Sequence, residues 1–123
     1  MTTREIVMSK FTIYHNPSCS KSRATLARLT ERGIEPQIIE YLKTPPTSAE
    51  LSAIIAALGL KPEQLVRKGE EIYKSHYAGK TLTDSQWIDA MVKHPVLIER
   101  PILLRGERAV LGRPPENVEQ LLP

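Results

Sequence analysis

The apolar positions of this chain form short β-type runs near its start and end, and a helical spacing through its middle. Phe11 to Tyr14 and Gln37 to Leu42, the second centred on Ile38 and Ile39, read as strands. Between them Ala24, Leu26, Ala27 and Leu29 supply the buried side of a helix from about Ser20 to Arg32, and Gly33 is its natural left-handed terminator. Thr44-Pro45-Pro46 stops the second strand. Thr47 with Glu50 then forms a capping box, Leu51, Ile54, Ile55 and Leu58 share one helical face, and Gly59 ends that helix. Pro62 opens a short helix through Val66. Glu70 to Lys80 is weakly patterned, with Ile72, Tyr73 and Tyr77 as anchors, and reads as irregular or short-helical. A second capping box, Thr83 with Gln86, starts a helix that buries Trp87, Ile88, Met91 and Val92 and ends near His94-Pro95, with His94 as a capping residue. Arg100-Pro101-Ile102-Leu103-Leu104 and Ala109 to Leu111 make a hairpin around Arg105-Gly106-Glu107-Arg108. Pro114 and Pro115 start a last helix with Val118, Leu121 and Leu122 facing inward.

Strand, helix, strand, a helical stretch, then hairpin and helix is the order of an α/β protein with a thioredoxin-like fold: a four-stranded mixed sheet with an enlarged helical insertion. The connection between the first two strands is long enough for a parallel crossover. At 123 residues the chain reads as a short N-terminal extension, residues 1–9, and a single domain, residues 10–123, with Met8 as an alternative start. No internal repeat or low-complexity segment interrupts it.

Composition narrows the chemistry. With 41% hydrophobic and 25% charged residues this is an ordinary globular composition. The net charge of +3 is spread among interspersed acids and bases, which points to small anions as ligands and to no nucleic-acid partner. No apolar run approaches a membrane span and the first residues lack a secretory h-region, so no membrane association and a cytoplasmic location are expected. The single cysteine excludes an internal disulfide, an intramolecular dithiol pair and a zinc site of several thiolates; a redox role needs an outside thiol.

That cysteine sits in Ile13-Tyr14-His15-Asn16-Pro17-Ser18-Cys19-Ser20-Lys21-Ser22-Arg23, where a strand passes through a polar turn into a helix. The first N–H groups of a helix have no intrahelical partner and carry partial positive charge, so a thiol among them ionises readily, and the thiolate is the nucleophile. Cys19 is therefore the candidate reacting atom. Ser18 is the expected N-cap. Ser22, one turn on, is placed to donate a hydroxyl hydrogen bond to the thiolate, Arg23 adds a cation on the same face and is a candidate oxyanion ligand, and His15 in its charged form is expected to stabilise the thiolate from the loop side.

These residues, with Tyr41-Leu42 and Thr44-Pro45-Pro46-Thr47, Leu65-Val66-Arg67-Lys68, His94-Pro95 with Leu97-Ile98, Arg100-Pro101-Ile102 and Arg113-Pro114, make the chain resemble the glutaredoxin-coupled arsenate reductases from about Thr12 to Leu122. The resemblance implies that Cys19 is the nucleophile, that His15 and Ser22 assist its ionisation, and that Arg67, Arg100 and Arg113 surround the oxyanion. It also implies a cis bond at Arg100-Pro101. The implied reaction reduces arsenate to arsenite with no bound cofactor and glutathione as co-substrate: Cys19 displaces an arsenate oxygen, glutathione attacks the cysteinyl-arsenate adduct, and a glutaredoxin removes the glutathione. Planar guanidinium forks and helix amides suit a tetrahedral dianion. Ser20-Lys21 differs from the less charged pair of some members, and the chain ends at Pro123 where longer members continue, which implies a short branch.

Residue spacing bears on two alternatives. A phosphatase-type loop needs an arginine six positions after its cysteine, where this chain has Thr25, so that class is excluded. The Spx-type regulators share the fold and bind a protein partner without catalysis, but typical members carry Cys-x-x-Cys at this loop, and the residue three beyond Cys19 is Ser22. A regulator of that kind, or a thiol oxidoreductase with another substrate, stands as the alternative to arsenate reduction.

Overall fold

A computed structural model of the chain describes residues 11–122. The proposed N-terminal extension and the alternative start at Met8 lie outside the described residues. Contacts group the described residues into two compact units, one holding residues 11–44 and 100–122, the other Pro45–Glu99.

The first unit is built on a four-stranded sheet of order β2-β1-β3-β4, with β1 Phe11–His15, β2 Gln37–Glu40, β3 Ile102–Arg105 and β4 Arg108–Leu111. β1 runs parallel to β2, pairing Ile13 with Ile38 and His15 with Glu40, and antiparallel to β3, pairing Tyr14 with Ile102. The mixed sheet expected from the element order is thus present, including the parallel crossover. Alternation along β1 sends Phe11 and Ile13 into a core with Leu29, Ile34, Leu103, Val110, Val118 and Leu121. β2 is an edge strand and is shorter than expected: the chain turns at Tyr41, and Ile38 is left 48% exposed because β2 has a neighbour on one side only.

Helix α1, Ser20–Glu31, closes with Arg32 and passes to Gly33 at φ 74°. Its buried residues are Ser22, Thr25 and Leu29, with Leu26 packed partly against the core, while Ala24 and Ala27 are exposed. This corrects the face expected from apolar content. Ser22 and Thr25 can be inward because each has a polar partner: the Ser22 hydroxyl accepts from the Asn16 N–H at 3.3 Å and the Thr25 hydroxyl donates to the Gly112 carbonyl at 3.4 Å. The final segment is also different. Pro115–Leu121 is a 3₁₀ helix rather than an α-helix, and its three-residue turn still brings Val118 and Leu121 inward on one line.

The second unit is helical: α2 Ser48–Leu58, a 3₁₀ turn Pro62–Leu65, α3 Glu71–His76, α4 Asp84–Lys93 and a second 3₁₀ turn Pro95–Leu97. Both capping boxes form. In each the threonine hydroxyl accepts from the N–H three residues on and the Glu50 or Gln86 side chain returns to the threonine N–H. Gly59 ends α2 at φ 71° and His94 ends α4. Leu51, Ile54 and Ile55 are buried on α2, and Trp87, Ala90 and Met91 on α4; Leu58, Ile88 and Val92 are only partly covered. An isolated antiparallel bridge, Val66 with Ile98, closes the unit, with the Arg67 N–H donating to the Leu97 carbonyl at 2.7 Å.

Candidate active site

The loop after β1 is folded by its own polar groups. The Asn16 side-chain oxygen accepts from the Ser18 N–H at 3.0 Å, an Asx turn, and the Asn16 carbonyl accepts from the Cys19 N–H at 3.0 Å. The Arg23 guanidinium reaches back to donate to the Pro17 carbonyl at 2.9 Å, so this cation ties the loop down from one turn into the helix.

Cys19 itself, not Ser18, is the N-cap of α1: its backbone is extended, at φ −100° and ψ 125°, and its carbonyl accepts from the Arg23 N–H. Ser18 is instead engaged in the Asx turn. The consequence is that no side chain caps α1. Its first free amides are directed at the thiol. Burial pushes the half-buried thiol's pKa up, but the Ser22 N–H, a hydrogen bond from Arg100, the Lys21 N–H and the charge of Arg100 together outweigh it and leave the pKa below its ordinary value. Ser22 therefore acts on Cys19 through its N–H, while its fully buried hydroxyl accepts from Asn16.

His15 ends β1 and is 6% exposed, with its Nδ1 buried and without a hydrogen-bond partner. Burial lowers its pKa, Glu40 on the neighbouring strand opposes this, and Arg23 adds to it; the net shift is downward. Burial thus works against the charged form expected to assist the thiolate, because removing the charge from water outweighs one nearby carboxylate.

Arg100, just before β3, and Arg113, just after β4, meet at the open end of the hairpin. The Arg113 guanidinium donates to the Arg100 carbonyl at 3.3 Å, and both arginines precede cis prolines, the first as the resemblance implied. Arg67 belongs to the other unit, where it pairs with Glu70 at 3.4 Å and Glu99 at 3.9 Å. Thus His15, Cys19, Ser22, Arg23, Arg100 and Arg113 share one unit, and Arg67 lies in the second. Residues missed from sequence are Glu40, whose register with His15 needs the sheet, and Thr25 with Gly112. For Thr25 a local signal existed: it falls three positions after Ser22, on the same helical face.

No group of His, Cys, Asp and Glu suited to a metal ion occurs among the described residues. A nucleophilic thiol under a guanidinium and two backbone donors can attack an anion and hold its oxygens.

Comparison with known proteins gives the same direction. The model of the ArsC family matches residues 14–121. The chain belongs to the ArsC family. An arsenate reductase of Escherichia coli strain K12 is 46% identical over 117 residues, covering 94% of this chain and 83% of its own length. The uncharacterised Escherichia coli protein YfgD is 44% identical over 112 residues, covering 89% of this chain and 94% of its own. Among solved structures, the arsenate reductase from Vibrio cholerae superposes with a TM-score of 0.88 at 47% identity, over 91% of this chain and 97% of that one. The fold of this ArsC-family chain is accordingly that of the arsenate reductases.

Proposed function

We propose that this ArsC-family protein is an arsenate reductase that works through Cys19. The observation that carries the reading is the thiol at the head of α1, with its pKa lowered by Arg100 and the Ser22 and Lys21 amides against the effect of burial. The same donors that stabilise a thiolate stabilise an oxyanion beside it, so the incoming dianion meets compensated charge.

In the reaction the Cys19 sulfur attacks arsenic and an oxygen leaves as water, forming the sulfur–arsenic bond. Reduction of arsenate to arsenite takes two electrons, which two thiols supply when they join as a disulfide. The chain has one cysteine. Outside thiols must therefore take part, and glutathione with a glutaredoxin fills that role, as the family resemblance implies; a cytoplasmic location suits such reductants, and no described helix is long and apolar enough to cross a membrane. Arg100 and Arg113, with Arg67 on the strength of the resemblance, are the proposed oxyanion ligands. His15 is a buried polar neighbour of the loop, and Arg23 holds the loop through Pro17.

The test is arsenate-dependent NADPH consumption with glutathione, glutathione reductase and a glutaredoxin, comparing wild type with Cys19→Ser. Activity in the wild type and none in the variant is expected. A folded wild type that reduces no arsenate with several glutaredoxins would overturn the reading.

A further inference from the structure

The middle of α1 carries a polar contact that the reaction does not use directly. Thr25 is fully buried, two turns below Cys19, and its hydroxyl donates to the carbonyl of Gly112, 87 positions away in the chain, at 3.4 Å. Gly112 in turn donates its N–H to the Pro101 carbonyl at 2.9 Å. The next residue, Arg113, donates to the Arg100 carbonyl. Hydrogen bonds therefore run from the cysteine helix through Thr25 to both arginine-bearing loops. The fit is close as well as polar: a Cβ on Gly112 would sit 2.7 Å from the Thr25 hydroxyl oxygen and 2.8 Å from Pro101 Cγ. Here glycine is required by close approach rather than by a positive φ.

We propose that Thr25 is a positioning residue which, through Gly112, latches the Arg100-Pro101 and Gly112-Arg113 loops to α1 and so keeps Arg100 on the Cys19 sulfur. Arg100 enters α1's reactive end from outside the helix, and nothing in α1's own sequence fixes its distance to Cys19. The latch supplies a fixed point. Loss of the hydroxyl leaves the carbonyl of the buried Gly112 without that donor, and the loop shifts to find another.

The test uses the sole cysteine as its own reporter. The pH dependence of iodoacetamide alkylation is measured for wild type, Thr25→Val, which keeps the shape and removes the hydroxyl, and Thr25→Ser, which keeps the hydroxyl. Expected are an alkylation midpoint about half a pH unit higher in Thr25→Val, an arsenate KM raised about threefold to tenfold with a smaller change in kcat, and both values restored to within about twofold of wild type in Thr25→Ser. Gly112→Ala, which pushes the loop off the helix, is expected to raise the midpoint similarly and serves if Thr25→Val does not fold. A folded Thr25→Val or Gly112→Ala with an unmoved midpoint overturns the proposal, even if it melts earlier. The KM arm rests on the arsenate reading, whereas the alkylation arm does not. A protein inactive on arsenate but with a shifted midpoint therefore supports the latch and counts against the substrate alone.

Discussion

The start of α1 in the sheet unit and the starts of α2 and α4 in the helical unit solve the same physical problem in opposite ways. In the helical unit, α2 and α4 satisfy their first free amides with side chains, Thr47 and Glu50 in one case and Thr83 and Gln86 in the other. In the sheet unit, α1 begins at Cys19 with no side-chain cap, and its amides from Lys21 and Ser22 act on sulfur instead. A threonine cap exchanges donors for helix stability. A cysteine cap leaves the donors' field on a reactive atom, and the neighbouring fold must hold the helix end: Asn16 through its backbone and side chain, Arg23 through Pro17, and Ser22 through Asn16. The comparison explains why the loop before α1 is dense in polar contacts while the entries to α2 and α4 need only one residue pair each.

The largest effect that can separate the two kinds of helix start is Cys19→Ser. Serine is a good N-cap, so thermal unfolding is expected at or slightly above the wild-type temperature, within about 0.5 kcal/mol, while arsenate turnover falls to background in the coupled assay. A large loss of stability would show that the thiol serves the fold. Next comes Arg100→Ala. Removing one pre-placed donor from an oxyanion site costs about a hundredfold in rate, and the alkylation midpoint of Cys19 should rise because a hydrogen bond and a charge are lost together. An unmoved midpoint would leave the helix amides as the sole source of the shift.

Thr47→Ala and Thr83→Ala are the counterpart. Each should lower unfolding stability by about 1 kcal/mol in denaturant titration and leave the Cys19 midpoint where it is. The smallest effect concerns His15. Its pKa is lowered from 6.5 in the fold, so the neutral ring's contribution to stability is fully present above that value and is lost as the pH falls through the folded pKa, where the unfolded chain binds the proton more readily. Comparing His15→Gln with wild type across that range should show a flatter acid limb for the variant; identical slopes would mean that another group governs it.

Legibility followed sequence distance. The capping boxes, the left-handed Gly59 and the strand-to-helix placement of Cys19 are set by residues within a few positions of one another, and all were readable. The face of α1 was not. Hydropathy favours Ala24 and Ala27 over Ser22 and Thr25, yet polar side chains can be buried once partners exist, and Thr25's partner is Gly112 from the far end of the chain. The downward pull on the His15 pKa was hidden for a related reason: desolvation depends on what covers the ring, and the carboxylate that opposes it, Glu40, is supplied by a parallel strand. The role of Ser22 was half readable, since its position on the helix is local but the competing demand of the Asn16 amide on its hydroxyl is a matter of loop geometry.

The sequence by itself determined the candidate reactive atom, the helix ends that frame it and, through motifs spread from Tyr14 to Arg113, the family to which the chain belongs. The first two rest on residues close in the chain, whose separation the backbone limits, and the third on the order and spacing of short local motifs. Only the tertiary structure decided that Arg100 reaches Cys19, that Thr25 meets the Gly112 carbonyl, and that burial disfavours the charged form of His15. These depend on distances and burial between segments remote in the chain, and the free energy of a charge changes with exactly those two quantities.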